Sequence, residues 1–139
     1  MGEEKKSIFE IGSPDIDLLK SENLPNLDKV KKRYSIKYKK YAILIWHPVT
    51  SEQNLINNQT KKLMNFLNNY EMNFIVIHPN NDLGSSKILK NYKKYKNNKK
   101  FLFYKSLRFE YFLQLLKNAE FIIGNSSSAF YEAIILKTP

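Results

Sequence analysis

Four short apolar runs alternate with longer polar stretches from residue 41 onward, and this alternation restricts the fold more than any other feature of the 139-residue chain. The runs are Tyr41–Trp46, Phe74–Ile77, Phe101–Tyr104 and Phe121–Ile123. Each is rich in β-branched or aromatic residues and is bounded by charged residues, Pro, Gly or Asn, which is typical of buried parallel strands. The alternation therefore predicts an α/β fold, a doubly wound parallel sheet of the Rossmann-like type, with right-handed crossovers and helices on both faces.

The stretches between the runs have the spacing of helices. Predicted helices cover residues 52–70, 85–95, 108–117 and 127–136, and a shorter basic helix covers residues 27–34. Ser85 and Ser86 are predicted to cap the second of these helices. Six apolar side chains of the first recur at helical spacing and are predicted to face the core. They are Leu55, Ile56, Leu63, Phe66, Leu67 and Tyr70.

The same patterns divide the chain into two parts. Residues 1–40 are predicted to form an N-terminal segment and interdomain lead-in, and residues 41–139 the Rossmann-like domain. Lys137–Pro139 follow directly on a predicted helix, and such an ending usually leads into another strand. We therefore expect the domain to be incomplete at its C-terminus, truncated before the end of its sheet.

Each predicted strand is followed by a polar loop. His47, Asn80, Ser106 and Ser126 all lie just after a strand. Since the carboxyl ends of parallel strands meet at one edge, where such sheets bind ligands, we expect these residues to share one rim. Taken singly, the loops also have plainer interpretations: His47 can be a strand-end residue, and the Asn80 loop an ordinary turn. His78 is assigned a structural role.

The last loop passes from Gly124 and Asn125 into three serines and then helical sequence. A helix beginning there would offer free backbone N–H groups and the positive end of its dipole, which suit a phosphate. The hydroxyls of Ser126 and Ser127 can bind a ligand or cap the helix. Glu132, predicted inside the helix, carries a carboxylate that can accept hydrogen bonds from ribose hydroxyls. A capped helix without ligand fits the spacing equally well.

Composition narrows the function classes. The chain has no Cys and two His, so a disulfide or thiolate metal site is excluded, and neither a metal nor a cofactor is predicted. No apolar run approaches the ~20 residues of a membrane span. We expect a soluble, cytoplasmic protein without a membrane partner. The net charge of +10 raises a nucleic-acid-binding module as an alternative, but the excess is dispersed Lys with only two Arg, so no nucleic-acid partner is predicted.

Several segments occur in a fixed order: Gly12–Asp17, Trp46–Glu52, Pro79–Ser85, Gly124–Ser128 with Glu132 and Ala133, and Thr138–Pro139. Together they resemble the UDP-N-acetylglucosamine 2-epimerase family, over about the second half of a member. Non-hydrolysing members usually carry an Arg-rich loop after the first strand and Ser-Gly-Gly in the serine loop. Here those places read His47–Thr50 and Ser126–Ser128, so the chain resembles the hydrolysing branch more closely. Ala129 departs from the family, which often has Gly there.

The resemblance implies a glycosyltransferase-B architecture of two Rossmann-like domains, with residues 41–139 as the UDP-binding C-terminal domain. The implied roles are diphosphate or uracil-side contact for His47 and Asn80, a position near the uracil for Ser106, diphosphate binding for Ser126 and Ser127, and ribose binding for Glu132. The ligand would be UDP-N-acetylglucosamine or a related UDP-amino sugar. The full-length protein is expected to be a homodimer.

The reaction implied by the resemblance is elimination of UDP to give a glycal, followed by addition of water and release of the C2-inverted amino sugar, of the N-acetylmannosamine type, for sialic or legionaminic acid synthesis. The acid and base carboxylates are expected in a missing N-terminal domain, so no catalytic residue is assigned here. Alone, the chain is expected to show no turnover and weak UDP binding at best. A non-hydrolysing epimerase and another nucleotide-sugar-binding domain of the same architecture remain alternatives.

Overall fold

The computed structural model describes residues 2, 4–12, 16, 19 and 24–139. Its strands are β1 (Ala42–Ile45), β2 (Phe74–Ile77), β3 (Phe101–Tyr104) and β4 (Ile122–Gly124). Its helices are α1 (Leu27–Arg33), α2 (Ile56–Asn69), α3 (Ser85–Tyr92), α4 (Phe109–Lys117) and α5 (Glu132–Leu136). Short 3-10 turns lie at Lys5–Ser7, Thr50–Glu52, Lys93–Tyr95 and Ser127–Ala129. Gly12–Asp17, one of the segments that carry the family resemblance, falls largely outside the described residues.

All four strands are parallel, in the order β3-β2-β1-β4. Alternate side chains of β1 enter two separate cores, one on each face. Ile43 and Ile45 pack with α1, α4 and α5, whereas Ala42 and Leu44 pack with α2 and α3. Full burial of one such aliphatic side chain stabilises the fold by about 1.5–3 kcal/mol. Helices on both faces of a parallel sheet confirm the predicted doubly wound α/β class.

The strand order places a switch point between β1 and β4. The chain leaves β1 through α2 on one face, and the next two strands add outward in the order β2, β3. From β3 it returns through α4 on the other face, and β4 pairs with the free edge of β1. The loops after β1 and β4 therefore leave in opposite directions, which opens a crevice at their carboxyl ends. Trp46, directly after β1, packs against the core formed with α2 and α3.

The buried face of α2 differs from the predicted one. Ile56, Thr60, Met64 and Leu67 are buried, and Thr60 is tolerated there because its hydroxyl donates to the Ile56 carbonyl at 2.7 Å. Of the predicted core residues, Leu55, Phe66 and Tyr70 are exposed by 52%, 60% and 44%. The prediction was wrong for these three because the apolar stripe in the sequence is wider than the face that meets the sheet. The rings of Phe66 and Tyr70 pack on each other instead, 5.9 Å apart.

The last predicted helix is broken. A 3-10 turn covers Ser127–Ala129, and α5 begins only at Glu132. The Ser126 hydroxyl accepts a hydrogen bond from the Ser128 backbone N–H at 3.3 Å, and such local bonds from serine compete with helix formation. Glu132 therefore lies in the first turn of its own helix rather than inside a longer one.

The predicted lead-in contributes to the same core as the sheet. Val30 of α1 is fully buried there, next to α4, and Tyr104 donates from its hydroxyl to the Tyr34 carbonyl at 2.6 Å. The division at residue 41 stays a prediction. Over the described ranges, the helices are all too short or too polar to cross a membrane.

Candidate functional site

Asn125 joins the loops at the switch point. Its side-chain Oδ1 accepts from the His47 backbone N–H at 2.7 Å, and its Nδ2 donates to the His47 carbonyl at 3.0 Å. Its own backbone N–H donates to the Ile45 carbonyl at 3.2 Å. One amide side chain thus continues the pairing of β1 with β4 beyond the last strand residue. Asn125 was not among the predicted site residues.

Gly124 makes this junction sterically possible. It pairs with Ile45 across the ladder and has a φ of +141°, which side-chain-bearing residues rarely adopt. A Cβ atom at this position would collide with the Ile45 carbonyl oxygen. The close approach of the two backbones therefore requires glycine.

His47 joins the loop after β1 to the loop after β2. Its Nδ1 atom accepts from the Asn80 backbone N–H at 3.3 Å, so the neutral ring carries its proton on Nε2. Partial burial lowers the pKa of His47 below its ordinary value, and the nearby Asp82 carboxylate opposes that shift. The half-buried ring is thus favoured in its neutral form, with Nε2–H as its one donor.

The loop after β2 is held by its own contacts. Pro79 is buried, and the Ser85 hydroxyl donates to the Asn80 carbonyl. Gly84, with a φ of +102°, occupies the N-cap position of α3, so the predicted capping by Ser85 and Ser86 is wrong. A Cβ atom on Gly84 would come within 2.5 Å of the Ile56 side chain. Ser85 orients the Asn80 loop instead of capping the helix.

A cavity of about 480 Å³ opens on the same rim. Asn80 and Ser106, both predicted site residues, line it together with Ser128 of the serine loop. His78 and Lys105 also line it, although sequence reasoning gave His78 a structural role and overlooked Lys105. Burial is the first cause of the lowered pKa of His78, and Lys105 lowers it further. The size lies within the range of small-molecule sites, ~300–1,000 Å³.

The serine loop, residues 126–128, and the nearby Glu132 present polar groups that make no hydrogen bond within the described residues. Within the described part of the chain, the backbone N–H groups of Ser126 and Ser127 donate to no acceptor. The Ser127 side chain is exposed. The Oε2 atom of Glu132 is buried and has no hydrogen-bond partner among the described residues. Buried polar atoms are normally paired, so this carboxylate is a candidate for a ligand contact.

The structure therefore brings most of the predicted site residues together. His47 and Asn80 are hydrogen-bonded, Ser126 follows Asn125, which holds the His47 loop, and Ser106 shares a cavity wall with Asn80. Within the described residues, neither Glu132 nor Ser127 forms a hydrogen bond with His47, Asn80 or Ser106. The ligand roles of all six residues stay predictions. The one sequence signal for Asn125 was its place directly after the Gly that ends β4.

This arrangement defines a Rossmann-like α/β domain with polar loops at the switch point of its sheet. The chain belongs to the UDP-N-acetylglucosamine 2-epimerase family, whose model matches residues 1–139. It is 44% identical over 139 residues to the UDP-N-acetylglucosamine 2-epimerase of Neisseria meningitidis serogroup B, covering 100% of this chain and 37% of the relative. It is 35% identical over 145 residues to the GDP/UDP-N,N'-diacetylbacillosamine 2-epimerase (hydrolyzing) of Campylobacter jejuni, covering 100% and 37%.

A solved structure of a UDP-GlcNAc 2-epimerase has a similar fold. The UDP-GlcNAc 2-epimerase of Methanocaldococcus jannaschii, in complex with UDP-GlcNAc and UDP, superposes with a TM-score of 0.68 at 26% identity, over 98% of this chain and 39% of that one. The comparison confirms the predicted fold class. The chain spans little more than a third of the length of the curated relatives it matches.

Proposed function

We propose that this chain is the UDP-binding part of a hydrolysing UDP-N-acetylglucosamine 2-epimerase, which releases UDP and a C2-inverted amino sugar. The observation that carries the proposal is the linked rim: hydrogen bonds connect the loops after β1, β2 and β4 at the switch point of a family member. Support also comes from the similar archaeal epimerase, which was solved with UDP-GlcNAc and UDP.

The rim offers suitable groups for each part of UDP. Backbone N–H groups and hydroxyls of Ser126 and Ser127 suit the diphosphate oxygens, and His47 adds a neutral donor. The unpaired Oε2 of Glu132 suits a ribose hydroxyl. The cavity beside Asn80 and Ser106 has room for the uracil. No group in this set acts as acid or base at the sugar.

In the proposed reaction a base removes the C2 proton, and the C–H electron pair forms the C1–C2 double bond. The C1–O bond breaks, and its electrons leave with the UDP oxygen. Water then adds across the glycal, and the sugar is released inverted at C2. The acid and base carboxylates are assigned to a part of the whole enzyme outside this chain. The rim described above lowers the barrier by stabilising the charge on the departing diphosphate.

The hydrolysing branch is supported by the loop sequences at His47–Thr50 and Ser126–Ser128, and by the hydrolysing relative from Campylobacter jejuni. Phosphorus and proton NMR of the whole enzyme acting on UDP-N-acetylglucosamine test the branch. Free UDP accumulating in equal amount with a C2-inverted free sugar is expected. A mixture of two UDP-sugars without free UDP would instead indicate a non-hydrolysing epimerase.

GDP is a second candidate for the nucleotide that this site binds. The Campylobacter jejuni relative is named for GDP as well as UDP. Titration of the chain with UDP, GDP and CMP, followed by backbone NMR shifts, separates the candidates. UDP is expected to shift the residues of the rim and to bind most tightly, though weakly, because the chain holds only one side of the cleft. Stronger binding of GDP would replace UDP in the proposal.

A further inference from the structure

The orientation of His47 depends on a residue that is not expected to touch the ligand. Asn125 holds both backbone polar groups of residue 47, its N–H at 2.7 Å and its carbonyl at 3.0 Å. We propose that Asn125 is a positioning residue, which fixes the backbone at His47 so that the imidazole presents Nε2–H to a diphosphate oxygen. This inference rests on the proposed function, because it names how one donor of that same site is aimed.

The two bonds match the chemistry of an amide side chain. The backbone of residue 47 presents one donor and one acceptor on the same side, and the planar amide of Asn or Gln carries a matching acceptor and donor on one carbon. Gln is longer by one methylene. An Asp at position 125 would keep the bond from the His47 N–H but would set a second oxygen against the His47 carbonyl. The amide thus matches its partner in both length and polarity.

A third bond, from another loop, completes the orientation. The Asn80 backbone N–H donates to Nδ1 of His47 at 3.3 Å. With the backbone fixed from β4 and Nδ1 held from the loop after β2, the ring has little freedom to rotate. Within the described residues, its remaining polar group, Nε2–H, makes no hydrogen bond and is available as a donor. His47 is therefore assigned as a neutral donor to the ligand rather than as a proton acceptor.

The tautomer of His47 gives a direct readout of this role. The chain has two His, so its imidazole nitrogen spectrum contains two rings, and a His47→Gln variant assigns the signals by their loss. Spectra of the ligand-free chain are compared for the unaltered protein, Asn125→Ala, Asn125→Asp and the control Asn118→Ala. Asn118 is exposed after the last residue of α4, at the opposite end of the sheet, and its amide donates to the Gln114 carbonyl.

We expect the unaltered protein and Asn118→Ala to show the Nε2–H tautomer of His47. Asn125→Ala is expected to give a mixture of tautomers and about tenfold weaker UDP binding, with Asn125→Asp intermediate, while the backbone spectrum stays folded. An Nδ1–H tautomer in the unaltered protein, or an unchanged signature in a folded Asn125→Asp or Asn125→Ala, overturns the assignment. If UDP fails to bind the whole enzyme, the proposed function fails, whereas the ligand-free spectra of this chain still decide the positioning role.

Discussion

Gly124 lies against Ile45 so closely that no side chain fits between the two backbones. The contact is made in the register of the β1–β4 ladder, directly before the amide of Asn125 reaches across to His47. The polar contacts between Asn125 and His47 thus depend on the absence of a side chain at position 124.

Replacement of Gly124 by Ala is expected to lower the free energy of unfolding by more than about 2 kcal/mol, because a strained φ and a backbone collision add together. Urea denaturation measures the change. Gly12→Ala is the matched control: Gly12 also has a positive φ, of +70°, but a Cβ atom there meets nothing within 4 Å. Equal losses in the two variants would show that the approach to Ile45 is unimportant.

Glu132→Gln is expected to weaken UDP binding about tenfold, since an amide nitrogen replaces one acceptor of ribose hydroxyls. Stability is expected to stay level or to rise, because the buried Oε2 of Glu132 has no protein partner to lose within the described residues. Calorimetric titration with UDP and thermal unfolding measure the two effects. Glu120→Gln, exposed ahead of β4, should change neither. Lower stability without loss of binding would contradict the ribose assignment.

Replacements of Ser126 and Ser127 are expected to differ in their effects on the free energy of unfolding. Ser126→Ala removes the acceptor for the Ser128 N–H and should lower the free energy of unfolding by about 1 kcal/mol. Ser127→Ala should leave stability unchanged, since its side chain is exposed, yet weaken UDP binding. Denaturant titration and UDP titration of both variants check this, with the exposed Ser86→Ala as control. Unchanged UDP affinity in Ser127→Ala would remove that serine from the diphosphate site.

Acid pH is expected to destabilise the protein through its two histidines. Burial lowers the pKa of both His47 and His78 in the folded state, so the unfolded chain binds more protons. Their contribution to stability is full above the unfolded pKa of about 6.5 and is lost as pH falls through the lower folded pKa values.

Thermal unfolding between about pH 7.5 and 5 measures this effect. The double variant His47→Gln, His78→Gln should have a flatter profile over the same interval. A decrease of equal slope in the double variant would assign the acid sensitivity to other groups.

The strands were predictable because each is a short apolar run bounded by polar residues, and all four predictions match within one residue at either end. Helices on both faces, and hence a core on each face, followed from the alternation of strands and helices along the chain. The face of α2 was not predictable to the same degree, because apolar residues such as Phe66 also occur outside the core, where they pack on each other.

The site was predictable in outline only. Parallel topology places His47, Asn80, Ser106 and Ser126 after their strands, and the structure places these loops at one rim. What the pattern cannot show is which side chains hold the loops to one another. Asn125 resembles an ordinary turn residue until its partner is known, and that partner is 78 positions away in the chain.

Trp46 is the only tryptophan of the chain, and it immediately precedes His47. Its half-buried side chain packs against the core formed with α2 and α3, one residue before the backbone that Asn125 holds. The protein thus carries an intrinsic fluorescent probe beside its candidate nucleotide site. A change in tryptophan fluorescence on addition of a nucleotide would report binding at the rim without any label. The measurement needs far lower protein concentrations than backbone NMR.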